Sequence, residues 1–149
     1  MKIKLLLLPG ILLAGLVLLS MQPGNTDQKL LFCHKWRQFA FKRATDSVVK
    51  SIDPSMAKTC LFRDDGYYEE NYLNIISSGK WFFNADEKKF GLIIDTFNGT
   101  KFPGQDSLKP PANIVVLKLT KDTLIYGNDI YTGPNRVYGH DDSYFVRAD

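Results

Sequence analysis

From residue 29 onward the apolar residues of this chain come in short runs, and nearly every run is bounded by turn residues. That spacing is the mark of β-strands; amphipathic helices need apolar positions recurring at three and four residues over a longer stretch. The constraint points to an all-β domain. Setting aside the first 22 of the 149 residues leaves 127, enough for one domain with its own core and too few for two ordinary ones.

Eight strands are expected. The first spans 36–41, with Trp36 and Ala40 on one face and Arg37, Phe39 and Phe41 on the other. The second spans 59–63 and runs into Asp64-Asp65-Gly66, a hairpin turn in which Gly accepts the positive φ. The others span 67–73, 80–84, 90–97, 114–119, 124–127 and 143–147. Ser77-Ser78-Gly79, residues 85–89 and Thr120-Lys121-Asp122-Thr123 read as turns, and 98–111 and 128–142 as long loops. Residues 45–56 read either as a short helix capped by Asp46 and ended by Pro54, or as a plain loop. Pro23 to Gln28 is a polar linker, followed by a short helical turn over 29–34. Short links imply up-and-down neighbours, and eight such strands close into an antiparallel barrel that removes exposed edges.

Lys2 and Lys4 precede a Leu-rich stretch from Leu5 to Leu19, the pattern of a secretory signal and short for a spanning helix. Ser20 and Gln22 make a poor cleavage site, so residues 1–22 are either a removed signal peptide or an uncleaved anchor. Both readings export the domain to the periplasm, the cell envelope or the medium, and only the anchor reading brings in the membrane. In an oxidising compartment Cys33 and Cys60, the only cysteines, either form one disulfide, worth on the order of 3 kcal/mol, or stay as buried thiols.

Trp36, the run from Leu61 through Asp64-Asp65-Gly66 to Tyr68, Gly79-Lys80-Trp81, Leu119 to Leu124, and Tyr144-Phe145-Val146-Arg147 follow one another in an order that resembles the bacterial lipocalin-like domain proteins. The resemblance covers residues 29–149. It implies a lipocalin-like, calycin-type β-barrel over 35–149 with an apolar cavity and a Trp in the first strand plugging the closed end. It implies no catalytic set. The chain departs from many such proteins in lacking a lipid-attachment Cys after the N-terminal segment.

The candidate ligand-binding set is aromatic: Trp36, Phe62, Trp81, Phe83 and Tyr144 either line a cavity or fill the barrel as core. A Trp36 plug needs an acceptor for its indole N–H. Asp64-Asp65, Glu69-Glu70 and Asp141-Asp142 are acidic pairs, but strand neighbours such as Glu69 and Glu70 face opposite ways, and the turn accounts for Asp64 and Asp65. Calcium at Asp141 and Asp142 has no motif behind it. His34 and His140 show no nucleophile at a recognisable spacing, and a Cys33–His34 pair diverges along the chain. Arg37, Arg136 and Arg147 are candidates to close a barrel end or bind a carboxylate. Asn98-Gly99-Thr100 reads as a turn.

Without Lys2 and Lys4 the chain has 17 basic and 16 acidic residues, which argues against nucleic acid. No catalytic residues, metal site or cofactor are expected. The function expected is non-catalytic binding of a small hydrophobic or amphipathic ligand. The alternative is an envelope interaction protein with a packed barrel and contacts through Phe102, Tyr131 and Tyr138.

Overall fold

A computed structural model of the chain describes residues 25–102, 113–132 and 137–149. Residues 1–22, most of the loop 98–111 and Arg136 lie outside the described residues. Helix α1 (Asn25–Phe32) leads into β1 (Lys35–Lys42), β2 (Lys50–Ser51), a 3-10 turn (Pro54–Met56), β3 (Thr59–Phe62), β4 (Tyr67–Tyr72) and β5 (Ile75–Asn84). Then come β6 (Lys89–Phe97), β7 (Thr100–Lys101), β8 (Ile114–Leu119), β9 (Thr123–Thr132) and β10 (Val137–Arg147).

The pairing runs β10-β9-β8-β6-β5-β4-β3-β1-β2, all antiparallel, and β10 also pairs with β1, Trp36 opposite Arg147. Eight of the ten described strands therefore form a ring, and the two-residue strands β2 and β7 lie beside β1 and β6.

Turn chemistry explains most of the register. Gly66 sits at φ 86°, and the Asp65 carboxylate accepts from the Tyr67 amide at 2.9 Å, closing the β3–β4 hairpin where the sequence places it. The β4–β5 turn differs from expectation. It lies at Leu73-Asn74, both left-handed at φ 51° and 64°, and the strand runs straight through Ser77-Ser78-Gly79. Serines and a glycine look like a turn, but here they mark a register shift between Ser78 and Gly79. A Cβ on Gly79 would overlap the Ile93 carbonyl. Gly79→Ala is therefore expected to cost about 1–3 kcal/mol in urea unfolding, as forced overpacking does.

Three further expectations are corrected. Most of 128–142 is strand, because β9 and β10 pair from Thr123 with Val146 out to Thr132 with Val137. The linker expected from Pro23 to Gln28 is helical from Asn25. Residues 45–56 hold no α-helix: Asp53 caps the 3-10 turn, accepting from the Ser55 amide and hydroxyl, and Pro54 opens that turn instead of ending a helix.

Antiparallel connection puts α1 and the turns after β3, β5 and β8 at one end of the ring. The turns after β4 and β6 and the long β1–β3 connection lie at the other. The α1 end is filled. Phe32 is fully buried, with the rings of Phe62, Trp81, Phe83 and Phe90 all 5.1–5.5 Å away. Trp36 is equally buried, and its indole N–H donates to the Phe32 carbonyl at 2.9 Å, the acceptor a buried Trp requires. The plug is thus shared between Trp36 and a helix residue.

Candidate functional site

The opposite end of the ring holds an open cavity of about 570 Å³. Its walls come from β1, β4, β9, β10 and the connection 43–58. A register shift between Gln38 and Ala40 sets Phe41 opposite Ser143, and both border the cavity. Ile52, Met56 and Tyr72 add apolar wall, while Lys58 and Glu70 form a charged floor.

The floor is the top of a buried polar network. Alternation along β4 turns Tyr68 and Glu70 to one side and Tyr67 and Glu69 to the other. Tyr68 donates its hydroxyl to Glu70 Oε2 at 2.8 Å, and Tyr67 donates to Glu69 at the same distance. Lys58 Nζ lies 3.2 Å from Glu70 Oε2 and donates to the Tyr126 hydroxyl at 3.3 Å. It also stands 5.9 and 5.7 Å from the ring centres of Tyr126 and Phe145. Cys60 Sγ is 3.6 Å from the Tyr68 hydroxyl and 3.9 Å from Glu70.

Burial sets the protonation of this network. It pushes the Cys60 thiol up to about 12 and raises Tyr68 and Tyr126 as well. For Lys58 burial acts downward, but the acidic side chains of Tyr126, Cys60 and Glu70 outweigh it and hold the ammonium above its usual range. The thiol is therefore protonated at neutral pH and a poor nucleophile, and the amine has no free lone pair for covalent chemistry.

None of the five aromatic residues singled out in the sequence borders the cavity. Trp36, Phe62 and Trp81 are buried core, and Phe83 packs against it. Trp81 donates its indole N–H to the Arg63 carbonyl at 2.8 Å. Tyr144 is displaced from the set: Phe145 takes the interior position of β10, and Tyr144 meets Phe39, 6.3 Å between ring centres. Cys33 and Cys60 stand as free thiols: Cys33, just past α1, points its thiol back to the Lys29 carbonyl at 3.4 Å, and Cys60 joins the floor network.

The acidic and basic candidates are mostly local. Asp65 pairs with Arg63 at 2.9 Å, and Asp141 accepts from the Ala44 amide at 2.8 Å. His34 Nδ1 is 3.3 Å from Asp149, which also accepts from Arg147 at 2.8 Å. His140 packs beside Gly127 on the β9–β10 pair, and Arg37 is an exposed β1 residue. Asn98-Gly99 forms a left-handed hairpin turn as expected. Among the described residues no three His, Cys, Asp or Glu side chains gather to hold a metal, and no helix is long and apolar enough to cross a membrane.

Sequence reasoning missed Lys58 and treated Glu70 only as half of a divergent pair. The usable signal was the carboxylate two residues beyond Tyr68, on the face that strand alternation turns inward. No protein-family model, curated protein or solved structure matches the chain.

Proposed function

We propose that this chain is an exported, lipocalin-like binding protein whose eight-stranded ring is an up-and-down barrel, and that it holds a small amphipathic ligand without transforming it. The cavity of about 570 Å³ at the unplugged end of the ring carries the reading. Its volume lies within the ~300–1,000 Å³ of ordinary small-molecule sites, and its lining sets an apolar strip of Phe41, Ile52, Met56 and Tyr72 among polar and charged side chains. Export is supported by Lys2, Lys4 and the Leu-rich stretch behind them, and the near balance of charge speaks against nucleic acid.

Native mass spectrometry of the full chain, purified gently after export, tests this. An added mass that disappears on denaturation is the expected result. A bare mass in every preparation would sink the reading. Both cysteines are expected to count as free thiols in the same spectra.

A second reading has its own support. Tyr72, Leu73, Ile75, Ile76, Phe97 and Phe102 are exposed apolar residues at the cavity end, an area suited to a protein partner of the envelope. Phe102 is exposed as that alternative expects, whereas Tyr131 and Tyr138 stand opposite each other in the β9–β10 ladder. A bare mass together with co-purification of a defined envelope protein would favour it.

A further inference from the structure

The cavity has a charged pair at its floor and a strip of apolar residues nearer its opening, the reverse of a site built to swallow a hydrocarbon tail. Lys58 and Glu70, with side chains 21% and 28% exposed, form the floor. Met56 and Tyr72, half and two-fifths exposed, form an apolar strip with Ile52 and Phe41 at a mouth whose other exposed residues, Arg43, Ser51, Asp53 and Asn128, are polar. Val48 and Val49 are exposed on the same β1–β3 connection, and Leu73 and Ile75 on the adjacent hairpin.

Two further hydrogen-bonding positions lie on the floor. Glu70 Oε2 takes Lys58, Tyr68 and, at 3.9 Å, the Cys60 thiol, and Oε1 is the second acceptor of the same carboxylate. The Lys58 ammonium carries three N–H groups and directs two of them to Glu70 and Tyr126, which leaves one. The pair thus offers one donor and one acceptor, and its charges cancel. The remaining charged lining sets Lys42 and Arg43 against Asp53, Asp141 and Asp142, one negative charge in excess, which further disfavours an anion. An anionic head would meet Glu70, and a cationic head would meet Lys58.

We infer that the ligand is an amphiphile that binds head first, with an uncharged head that both donates and accepts a hydrogen bond at Glu70 and Lys58, and with its tail lying along the strip of Phe41, Ile52, Met56 and Tyr72. A hydroxyl-bearing head of the monoacylglycerol kind meets these demands, and a free fatty acid does not. This rests on the binding reading above and specifies the substrate class of the same cavity.

The test uses the full chain at neutral pH and displacement of N-phenyl-1-naphthylamine, an apolar fluorescent probe. Its competitors are monododecanoylglycerol, dodecanoate and dodecylammonium, which share a tail and differ in head. The glycerol ester is expected to compete at least about tenfold better than either ion, since leaving a buried charge opposed costs more than one such factor. Glu70→Gln keeps an acceptor for Tyr68 and leaves Lys58 unopposed, so the preference is expected to swing about tenfold toward dodecanoate. Lys58→Met is expected to swing it toward dodecylammonium. A purely structural role for the pair would weaken all three competitors alike. Dodecanoate matching the ester on the natural chain overturns the proposal. Equal displacement by all three overturns the head preference and leaves the cavity a binding site. Failure of the probe and every competitor to bind overturns both readings.

Discussion

Replacing Phe32 with alanine is expected to remove about 3–5 kcal/mol of stability, the usual cost of deleting a fully buried aromatic ring. A domain of this size has only ~5–15 kcal/mol in all, so the variant should populate the unfolded state under mild denaturant. The reason is local geometry. Phe32 is fully buried and is the one side chain of α1 that reaches four core rings at 5.1–5.5 Å. With the ring gone, nothing of comparable size holds the helix against the end of the β-ring. The Cys33 thiol, bonded to Lys29 inside that helix, should then react with a disulfide reagent on the order of tenfold faster. Urea unfolding and thiol labelling read the two effects separately. A loss under ~1 kcal/mol with unchanged labelling would mean that the helix does not close the end of the ring.

The sequence displays Phe32 poorly, and the reason is instructive. Strand faces are legible because their period is two and turn residues punctuate them; Trp36 and Ala40, which alternation places on one face of the first strand, are both buried. A single helical turn offers no period to read, so which residue of 29–34 enters the core depends on the tertiary fit. Turn identity is legible only where chemistry and geometry agree. Asp65-Gly66 announces its hairpin, whereas Leu73-Asn74 adopts left-handed backbone that leucine does not advertise, and Ser77-Ser78-Gly79 imitates a turn inside a strand. The cavity was the least legible feature. Its walls join β1 to β10 across the ring closure and borrow Ile52 and Met56 from an irregular connection, so no local pattern reports it. Its floor was half legible: Tyr68 and Glu70 share a face by alternation, but Lys58 and Tyr126 reach them only through the fold.

That floor governs the second large effect, a loss of stability in alkali. Cys60, Tyr68, Tyr126 and Lys58 all hold their protons more tightly in the folded chain than free in water. A group whose pKa is raised by folding contributes stability that is complete below its unfolded value and is lost as the pH climbs through the window up to the folded one. For Cys60 the window opens at the ordinary thiol value of 9.0 and closes where burial pushes it, at about 12. Each pH unit inside it costs ~1.4 kcal/mol, so Cys60 alone accounts for about 2 kcal/mol by pH ~10.5. The two tyrosines and Lys58 add to the slope only above pH ~10, where their unfolded forms begin to lose protons. The urea midpoint is therefore expected to stay level from pH ~7 to ~9 and then to fall steeply. Cys60→Ala, compared with its own neutral-pH baseline, should hold level to pH ~10 before declining, because only the tyrosines and the lysine remain to titrate. A midpoint that stays flat to pH ~11 in the natural chain would mean that water reaches these groups in the folded state. The same result would undercut the floor as a binding site, since a hydrated Lys58–Glu70 pair has little power to discriminate among ligand heads.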